Sequence, residues 1–284
     1  MILVPELTIN WHILEACNYD CYFCYAKYSQ KSIFSRCYAE ILRELSTLNS
    51  RSIDFLNGSS IVEGVRINFA GGEPFLEKNL GQAIAIAYDL GLRPSFISNG
   101  SLLTDDFIMK FGPMISVAGF SVDSFDDEQN RKIGRRDNRG GQVGYERITD
   151  IFRTFRQVSP NTLLKINTVV CRENVSEDFT FPLCELRPDR WKALRVIPIH
   201  GATGRGISDE EFSSFLDRHR DVPGKIVPED NVDMHRSYIM LDPDGRFYQR
   251  EGSDYLRSAP ILDVGAATAL QSVEFDAETY SSRY

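Results

Sequence analysis

An α/β fold built from βα units around a parallel sheet, closing to a partial (βα)6 barrel with a C-terminal extension, is predicted by three observations. Strand-like and helix-like segments alternate along the chain. Within the strands, polar and apolar side chains alternate with period two. The units number six, short of a closed eightfold barrel.

Strands are expected at Leu7–Ile13, Val65–Ala70, Pro94–Ser98, Ile115–Ser121, Leu163–Val170 and Trp191–Ile197. Helical patterns fill the gaps at Ser35–Leu48, Leu80–Leu90, Asp105–Phe111, Gly144–Gln157 and Val175–Leu186. Ser208-Asp209-Glu210-Glu211 has the form of a capping box opening a further helix over Asp209–Arg218. No Gly/Ser linker, low-complexity tract or repeat separates two domains, so residues 1–200 are read as the barrel and 201–284 as the extension closing its site. The active site of such a barrel faces the C-terminal ends of its strands.

Polar pairs at i and i+2 recur: Asn10/His12, Arg66/Asn68, Ser121/Asp123, Lys165/Asn167 and Arg190/Lys192, opposite Ile9/Trp11, Ile67/Phe69 and Leu164/Ile166. A packed barrel has an apolar lumen, and Arg, Lys, Asn and Asp there cost desolvation energy unless a ligand satisfies them. The lumen is therefore expected to hold a large polar molecule. The other reading of any one pair is a half-exposed strand with a solvated outer face.

Cys17-Asn18-Tyr19-Asp20-Cys21-Tyr22-Phe23-Cys24 carries three thiols spaced Cys-x3-Cys-x2-Cys after the first strand. A cubane iron–sulfur cluster held by three thiolates keeps one iron open for a small chelating molecule. A zinc half-site and three core thiols are the alternatives, and zinc would want a fourth ligand at similar short range. The chain has 284 residues and six cysteines, three of them in this one window, which is no disulfide scaffold. There is no run of about 18 apolar residues and no signal-peptide core. A cytoplasmic monomer without membrane attachment is expected. Lys+Arg 32 against Asp+Glu 40 gives net charge −8, so no global basic field favours nucleic acid.

The cysteine spacing, with Phe23 before the last thiol, closely resembles radical S-adenosylmethionine (SAM) enzymes. That resemblance implies a [4Fe-4S] cluster on Cys17, Cys21 and Cys24, flanked by Tyr22 and Phe23, with SAM on the open iron. It places Gly71-Gly72-Glu73-Pro74 at the methionine amino group, with Glu73 favouring that cation. Ser98, Asn99, Ser121 and Asp123 would hold the ribose and methionine parts. Arg135 is the candidate for the methionine carboxylate, a bidentate task suited to Arg, with Arg131, Arg136 and Arg139 crowding the same loop.

Further phrases narrow the likeness: Arg66-Ile67-Asn68-Phe69, Asp123-Ser124-Phe125-Asp126, Ile133-Gly134-Arg135, Lys165-Ile166-Asn167, Arg190-Trp191-Lys192, Val227-Pro228-Glu229, Ser237-Tyr238 and Ile261-Leu262-Asp263-Val264-Gly265. Together they resemble the viperin family over residues 7–276. The family's activity implies a 5′-deoxyadenosyl radical that takes the ribose 4′ hydrogen of a nucleoside triphosphate. Loss of water then gives a 3′-deoxy-3′,4′-didehydro nucleotide, an antiviral terminator of RNA chains. CTP is the first expectation, with UTP and GTP as alternatives, and a flavodoxin, ferredoxin or reductase supplies the electron.

By the same resemblance Asn10, Arg66, Lys165, Asn167, Arg190 and Lys192 are substrate-binding positions, Lys165 and Tyr238 are catalytic, and Glu229 and Asn231 read the base. A basic residue expected near Tyr255 is missing, with Arg257 or Arg250 as replacements. The C-terminus is shorter than the family tail that folds over nucleotide. Two rivals are a peptide-modifying radical SAM enzyme and a non-catalytic iron–sulfur nucleotide-binding module. The first commonly has late auxiliary-cluster cysteines, whereas Cys184 is the last here.

Overall fold

In the computed structural model, residues 2–24, 32–198, 202–230, 237–251 and 254–283 are described. Chain order gives β1 (Ile2–Leu14), α1 (Phe34–Ser46), β2 (Arg51–Phe55), β3 (Gly58–Gly71), α2 (Leu80–Asp89), β4 (Arg93–Ser98), α3 (Asp105–Phe111), β5 (Val117–Ser121), α4 (Asp127–Ile133) and α5 (Tyr145–Val158). Then follow β6 (Leu163–Val170), α6 (Thr180–Leu186), β7 (Arg190–Arg195), α7 (Asp209–Arg218), β8 (Lys225–Glu229), β9 (Ile239–Leu241), β10 (Phe247–Glu251), β11 (Asp254–Arg257), α8 (Ile261–Val264), α9 (Ala266–Leu270) and α10 (Ala277–Arg283).

One sheet runs β11-β10-β9-β1-β3-β4-β5-β6-β7-β8, with β2 paired to β3. The six strands read from sequence are the parallel run from β1 to β7, skipping β2. The extension contributes to both edges of this run. Strand β8 joins β7 in parallel, while β9 joins β1 in parallel and continues into antiparallel β10 and β11. Residues between β8 and β9 thus connect opposite edges of an open barrel.

Alternation sorts side chains as the sequence predicts. Ile9, Trp11, Ile67, Phe69, Leu164, Ile166 and Trp191 are fully buried on the outer face. Trp11 packs edge-on to Phe34 of α1 at 5.0 Å, and Trp191 stacks on Phe179 at 5.8 Å. Each such burial is worth roughly 1.5–3 kcal/mol.

Helix ends follow local chemistry. Thr104 caps α3, Asp126 caps α4 by accepting from Glu128 and Gln129 amides, and Ser208 with Glu211 forms the expected capping box on α7. Helix α6 begins at Thr180 rather than Val175. The Asn174 side chain accepts from the Cys171 amide and donates to the Asp123 and Val169 carbonyls, holding the preceding residues in turns. No helix among the described residues is long and apolar enough to cross a membrane.

Candidate active site

Leaving β1, the chain enters the cysteine loop, which three other segments fix in place. Gly71 and Gly72 end β3 against it: the Gly72 amide donates to Leu14 O at 2.8 Å and the Glu73 amide to Ala16 O at 2.9 Å. A Cβ on Gly72 would lie 1.9 Å from Ala16 O, so only glycine admits this approach. The glycine pair is thus required by the chain's own cysteine loop, a reason distinct from the cofactor approach expected from sequence.

Glu73 is buried, and its carboxylate accepts from the Ser98 hydroxyl (2.8 Å), the Asn99 amide (2.8 Å) and the Phe75 amide (3.1 Å). Burial raises its pKa, against these hydrogen bonds. Glu73 therefore ties the β3 end to the β4 end. Asn99 donates to Asn18 Oδ1 at 2.9 Å, and Asn18 donates to the Ser101 hydroxyl at 2.9 Å. Asn18, between the first two cysteines, is a positioning residue that sequence reasoning passed over.

The third support is the end of α4. The Tyr22 amide donates to Ile133 O at 3.0 Å and the Asp20 amide to Gly134 O at 3.2 Å. Gly134 has φ 90°, and a Cβ there would lie 2.1 Å from Asp20 O. Arg135 follows, its Nε paired with Asp123 Oδ2, whose other oxygen accepts from the Val169 amide at 2.7 Å. Asn99, Ser121, Asp123 and Arg135 line one cleft together with Tyr19. Sequence reading placed these four on SAM, and the fold brings them together. Tyr22 donates to Glu173 at 2.6 Å and lies under the Arg205 guanidinium at 4.7 Å, while Phe23 faces Arg135 at 6.0 Å.

Cys17, Cys21 and Cys24 are half-buried, and none of the six cysteines is in a disulfide. Burial pushes the Cys21 thiol up to about 12 and raises Cys17, while Arg135 opposes both shifts. The three sulfurs lie in electrostatic range of one another. Among the described residues no three His, Cys, Asp or Glu side chains converge on a point fit for one metal ion. Three neighbouring thiols can hold a polynuclear cluster in which each thiolate takes its own iron.

Across the lumen the polar faces come into register. Lys165 pairs in register with Arg190 and Asn167 with Lys192, while Asn10 lies beside Asn68, which donates to its Oδ1 at 2.9 Å. Lys165 feels Lys192, Arg66 and Arg190. Burial first, and these cations next, hold its pKa well below the ordinary lysine value, with Glu229 opposing. Asn167 Oδ1 is buried without a hydrogen-bond partner.

Two of the four cations are held by internal carboxylates. Arg66 pairs with Glu6 at 2.8 Å and donates to Thr8 Oγ1 at 2.8 Å. Lys192 contacts Glu229 and donates to the Tyr238 hydroxyl at 2.7 Å, and that hydroxyl donates to Glu229 at 2.6 Å. Tyr238 precedes β9 at one edge of the open barrel, whereas Lys192 and Glu229 belong to β7 and β8 at the other. This triangle bridges the opening. Glu229, expected to read a base edge, is the counter-ion of Lys192 and accepts from Tyr238 in this structure; Asn231 lies outside the described residues.

His12 completes the lumen row of β1. Its Nδ1 lies 2.9 Å from the Tyr248 hydroxyl, and burial lowers its pKa to about 4, so the ring stays neutral. Arg257, a candidate for the basic residue missing near Tyr255, pairs with Asp242 at 3.2 Å; the Arg250 side chain is outside the described residues. Helix α10 reaches the cationic end. Tyr280 of α10 is buried, donating to Glu6 O at 2.6 Å and accepting from the Thr8 amide at 2.8 Å.

Comparison with known proteins agrees with this arrangement. Residues 11–180 match the Radical SAM superfamily. An S-adenosylmethionine-dependent nucleotide dehydratase of Psychrobacter lutiphocae is 37% identical over 291 residues, covering 98% of this chain and 95% of that protein. One from Pseudoalteromonas ulvae is 36% identical over 292 residues, covering 100% and 94%. In fold, the crystal structure of Streptococcus suis SuiB bound to S-adenosylmethionine matches with a TM-score of 0.67 at 15% identity, over 98% of this chain and 67% of that one. The chain belongs to the radical SAM superfamily and, within it, to the S-adenosylmethionine-dependent nucleotide dehydratases, the viperin family.

Proposed function

We propose that this enzyme removes water from a nucleoside triphosphate, CTP first, to give the 3′-deoxy-3′,4′-didehydro nucleotide, an antiviral chain terminator. Its cofactors are those of the superfamily, a [4Fe-4S] cluster and SAM. Cys17, Cys21 and Cys24 are the cluster ligands in this reading, and Ser98, Asn99, Ser121, Asp123 and Arg135 surround SAM. When bound, the two supply a 5′-deoxyadenosyl radical able to take the ribose 4′ hydrogen.

The observation that carries the proposal is the cation group in the lumen. Arg66, Lys165, Arg190 and Lys192 come from three strands and meet on one side of the cysteine loop. A triphosphate brings about four negative charges, enough to engage Lys165 and Arg190 and to share Arg66 and Lys192 with Glu6 and Glu229. It would also raise the Lys165 pKa back toward the ordinary lysine value. Asn10 and Asn167 supply neutral hydrogen bonds to the sugar, with Asn167 Oδ1 already buried and unpartnered. In this reading Tyr238 gives its hydrogen as an electron to the sugar radical and a proton to the 3′ hydroxyl, which leaves as water, with Glu229 and Lys192 holding the Tyr238 hydroxyl.

The test is anaerobic incubation of cluster-loaded enzyme and SAM with CTP, UTP and GTP in turn, following 5′-deoxyadenosine and loss of water by mass. The expected result is product from CTP with 5′-deoxyadenosine formation dependent on it. SAM cleavage that runs equally without nucleotide, with none dehydrated, would overturn the reading.

A further inference from the structure

The cysteine loop is backed by an element whose outer surface is basic, although the chain as a whole is acidic. Residues 131–139 contain Arg131, Lys132, Arg135, Arg136 and Arg139 against one acid, Asp137, in a protein of net charge −8. Arg135 turns inward to Asp123 and the thiols. Arg131, Lys132, Arg136 and Arg139 are exposed. Lys132 pairs with Glu128 at 2.9 Å, whereas Arg131, Arg136 and Arg139 form no ion pair among the described residues. Asp137 accepts from the backbone amides of Arg139 and Gly141. On the far side of the loop, exposed Arg205 lies over Tyr22 and adds to the same field.

These cations stand apart from the lumen group that faces the nucleotide. Their element touches the cysteine loop directly, through the Ile133 and Gly134 carbonyls on the Tyr22 and Asp20 amides. The reaction proposed above needs one electron delivered to this loop per SAM cleaved, and no side chain described in the site supplies it.

We propose that the surface of Arg131, Arg136 and Arg139 at the end of α4 is the docking face for an acidic one-electron carrier protein. Charge complementarity steers such a carrier to this basic surface next to the cysteine loop. The carrier loses one electron and the cluster gains it; no bond in this chain forms or breaks. The proposal rests on the radical SAM reading of the cysteine loop, which a small uncharged reductant tests by itself.

The probe is reduced flavodoxin, an acidic flavoprotein, mixed anaerobically with cluster-loaded enzyme while cluster bleaching is followed by stopped flow. Affinity for oxidised flavodoxin is measured by calorimetry. The triple variant R131E/R136E/R139E is expected to slow flavodoxin reduction about tenfold or more, to flatten its dependence on ionic strength, and to weaken binding in parallel. Photoreduced 5-deazariboflavin should reduce wild type and variant alike, with nucleotide KM unchanged. R131K/R136K/R139K, which keeps the charge, should retain the wild-type rate and serves as the reference if the Glu variant loads cluster poorly; R131Q/R136Q/R139Q then carries the test. Unchanged flavodoxin rate and affinity in the Glu or Gln variant overturn the proposal, as does a raised nucleotide KM with the flavodoxin rate intact, which would make the patch a nucleotide-steering surface. Failure of 5-deazariboflavin to drive SAM cleavage in the wild type would overturn the underlying reading instead.

Discussion

The cysteine-loop side and the lumen side of the site satisfy their polar groups in opposite ways. Around the cysteine loop, Glu73, Asn18, Asn99, Ser101, Asp123 and Arg135 are tied to one another and to backbone amides within the chain. In the lumen, Lys165 sits among like charges with its pKa depressed, and Asn167 Oδ1 is buried without a partner. One half is preorganised by its own hydrogen bonds, while the other leaves charge to be completed by a ligand. Substitutions should therefore cost stability in the first half and ligand affinity in the second.

The largest effect is expected at Gly72. Gly72→Ala places a Cβ inside contact distance of Ala16 O, a backbone atom that no rotamer change can move aside. The cysteine loop must shift, and iron content after reconstitution with its visible absorbance should fall to near zero. Nucleotide affinity measured by calorimetry on the same protein should change less than about threefold, because Lys165, Arg190 and Lys192 lie on other strands and Arg66 lies well before Gly72 on β3. Full cluster loading in this variant would break the claim that the glycines serve the loop.

Lys165→Met tests the other half with the opposite sign. It should weaken triphosphate binding by about 100-fold, the scale of one lost charge-assisted contact of roughly 2–3 kcal/mol. At the same time it should raise the melting temperature of the nucleotide-free protein, since a buried cation among cations is removed. The pH dependence follows from the lowered folded-state pKa. Unfolded chains bind this proton up to about pH 10, so Lys165 costs stability below its folded pKa and the cost fades as pH rises toward about 10. The advantage of Lys165→Met should shrink over that range. Triphosphate should also raise the Lys165 pKa, so proton uptake on binding, read by calorimetry across buffers of different ionisation enthalpy, should appear as pH rises toward about 10 and be absent in the variant.

Much of this contrast was legible in the sequence, and the rest was not for identifiable reasons. Period-two alternation located both the outer core and the lumen cations, because a strand's faces are fixed locally by its geometry. Helix α4 also carried its signals, Asp126 before it and Gly134 after it, which went unread among the arginines of that loop. Strands β8 and β9 are short and border gaps in the pattern, so their edge positions depended on tertiary pairing. The Lys192–Glu229–Tyr238 triangle joins opposite edges of the sheet, and no sequence spacing encodes a contact of that kind. Cys17, Cys21 and Cys24 announced a cluster, whereas the bonds of Asn18 to Asn99 and Ser101 join distant segments that no spacing links.

Tyr238→Phe should have a smaller effect confined to the lumen. The ring remains and the Lys192–Glu229 pair is retained, so nucleotide affinity should stay within about threefold. Loss of the hydroxyl removes the proposed hydrogen donor. Dehydrated nucleotide per 5′-deoxyadenosine formed should fall about tenfold, a ratio read from one chromatogram. An unchanged ratio would leave Tyr238 as a bridge across the open barrel with no part in the chemistry.

The smallest effect is expected from Glu73→Gln, and its sign is what sharpens the comparison. The amide keeps one acceptor oxygen for the Asn99 amide but loses the charge shared among the Ser98, Asn99 and Phe75 donors, a cost of about 0.5–1.5 kcal/mol. Burial has raised the wild-type carboxyl above its unfolded value, so between the two the folded state holds the proton that the unfolded state has released. Wild-type stability therefore carries a Glu73 contribution that declines as pH rises through that window, from about pH 4.5 upward. Glu73→Gln removes this slope, so the stability difference between the two proteins should shift in the variant's favour as pH rises above about 4.5, the reverse of acid-labile salt-bridge behaviour. A shift in the wild type's favour would mean that the hydrogen bonds to Ser98 and Asn99 outweigh burial. The cysteine-loop half would then be held by a carboxylate whose charge is fully compensated, leaving Lys165 as the buried group of this pair whose charge a ligand must complete.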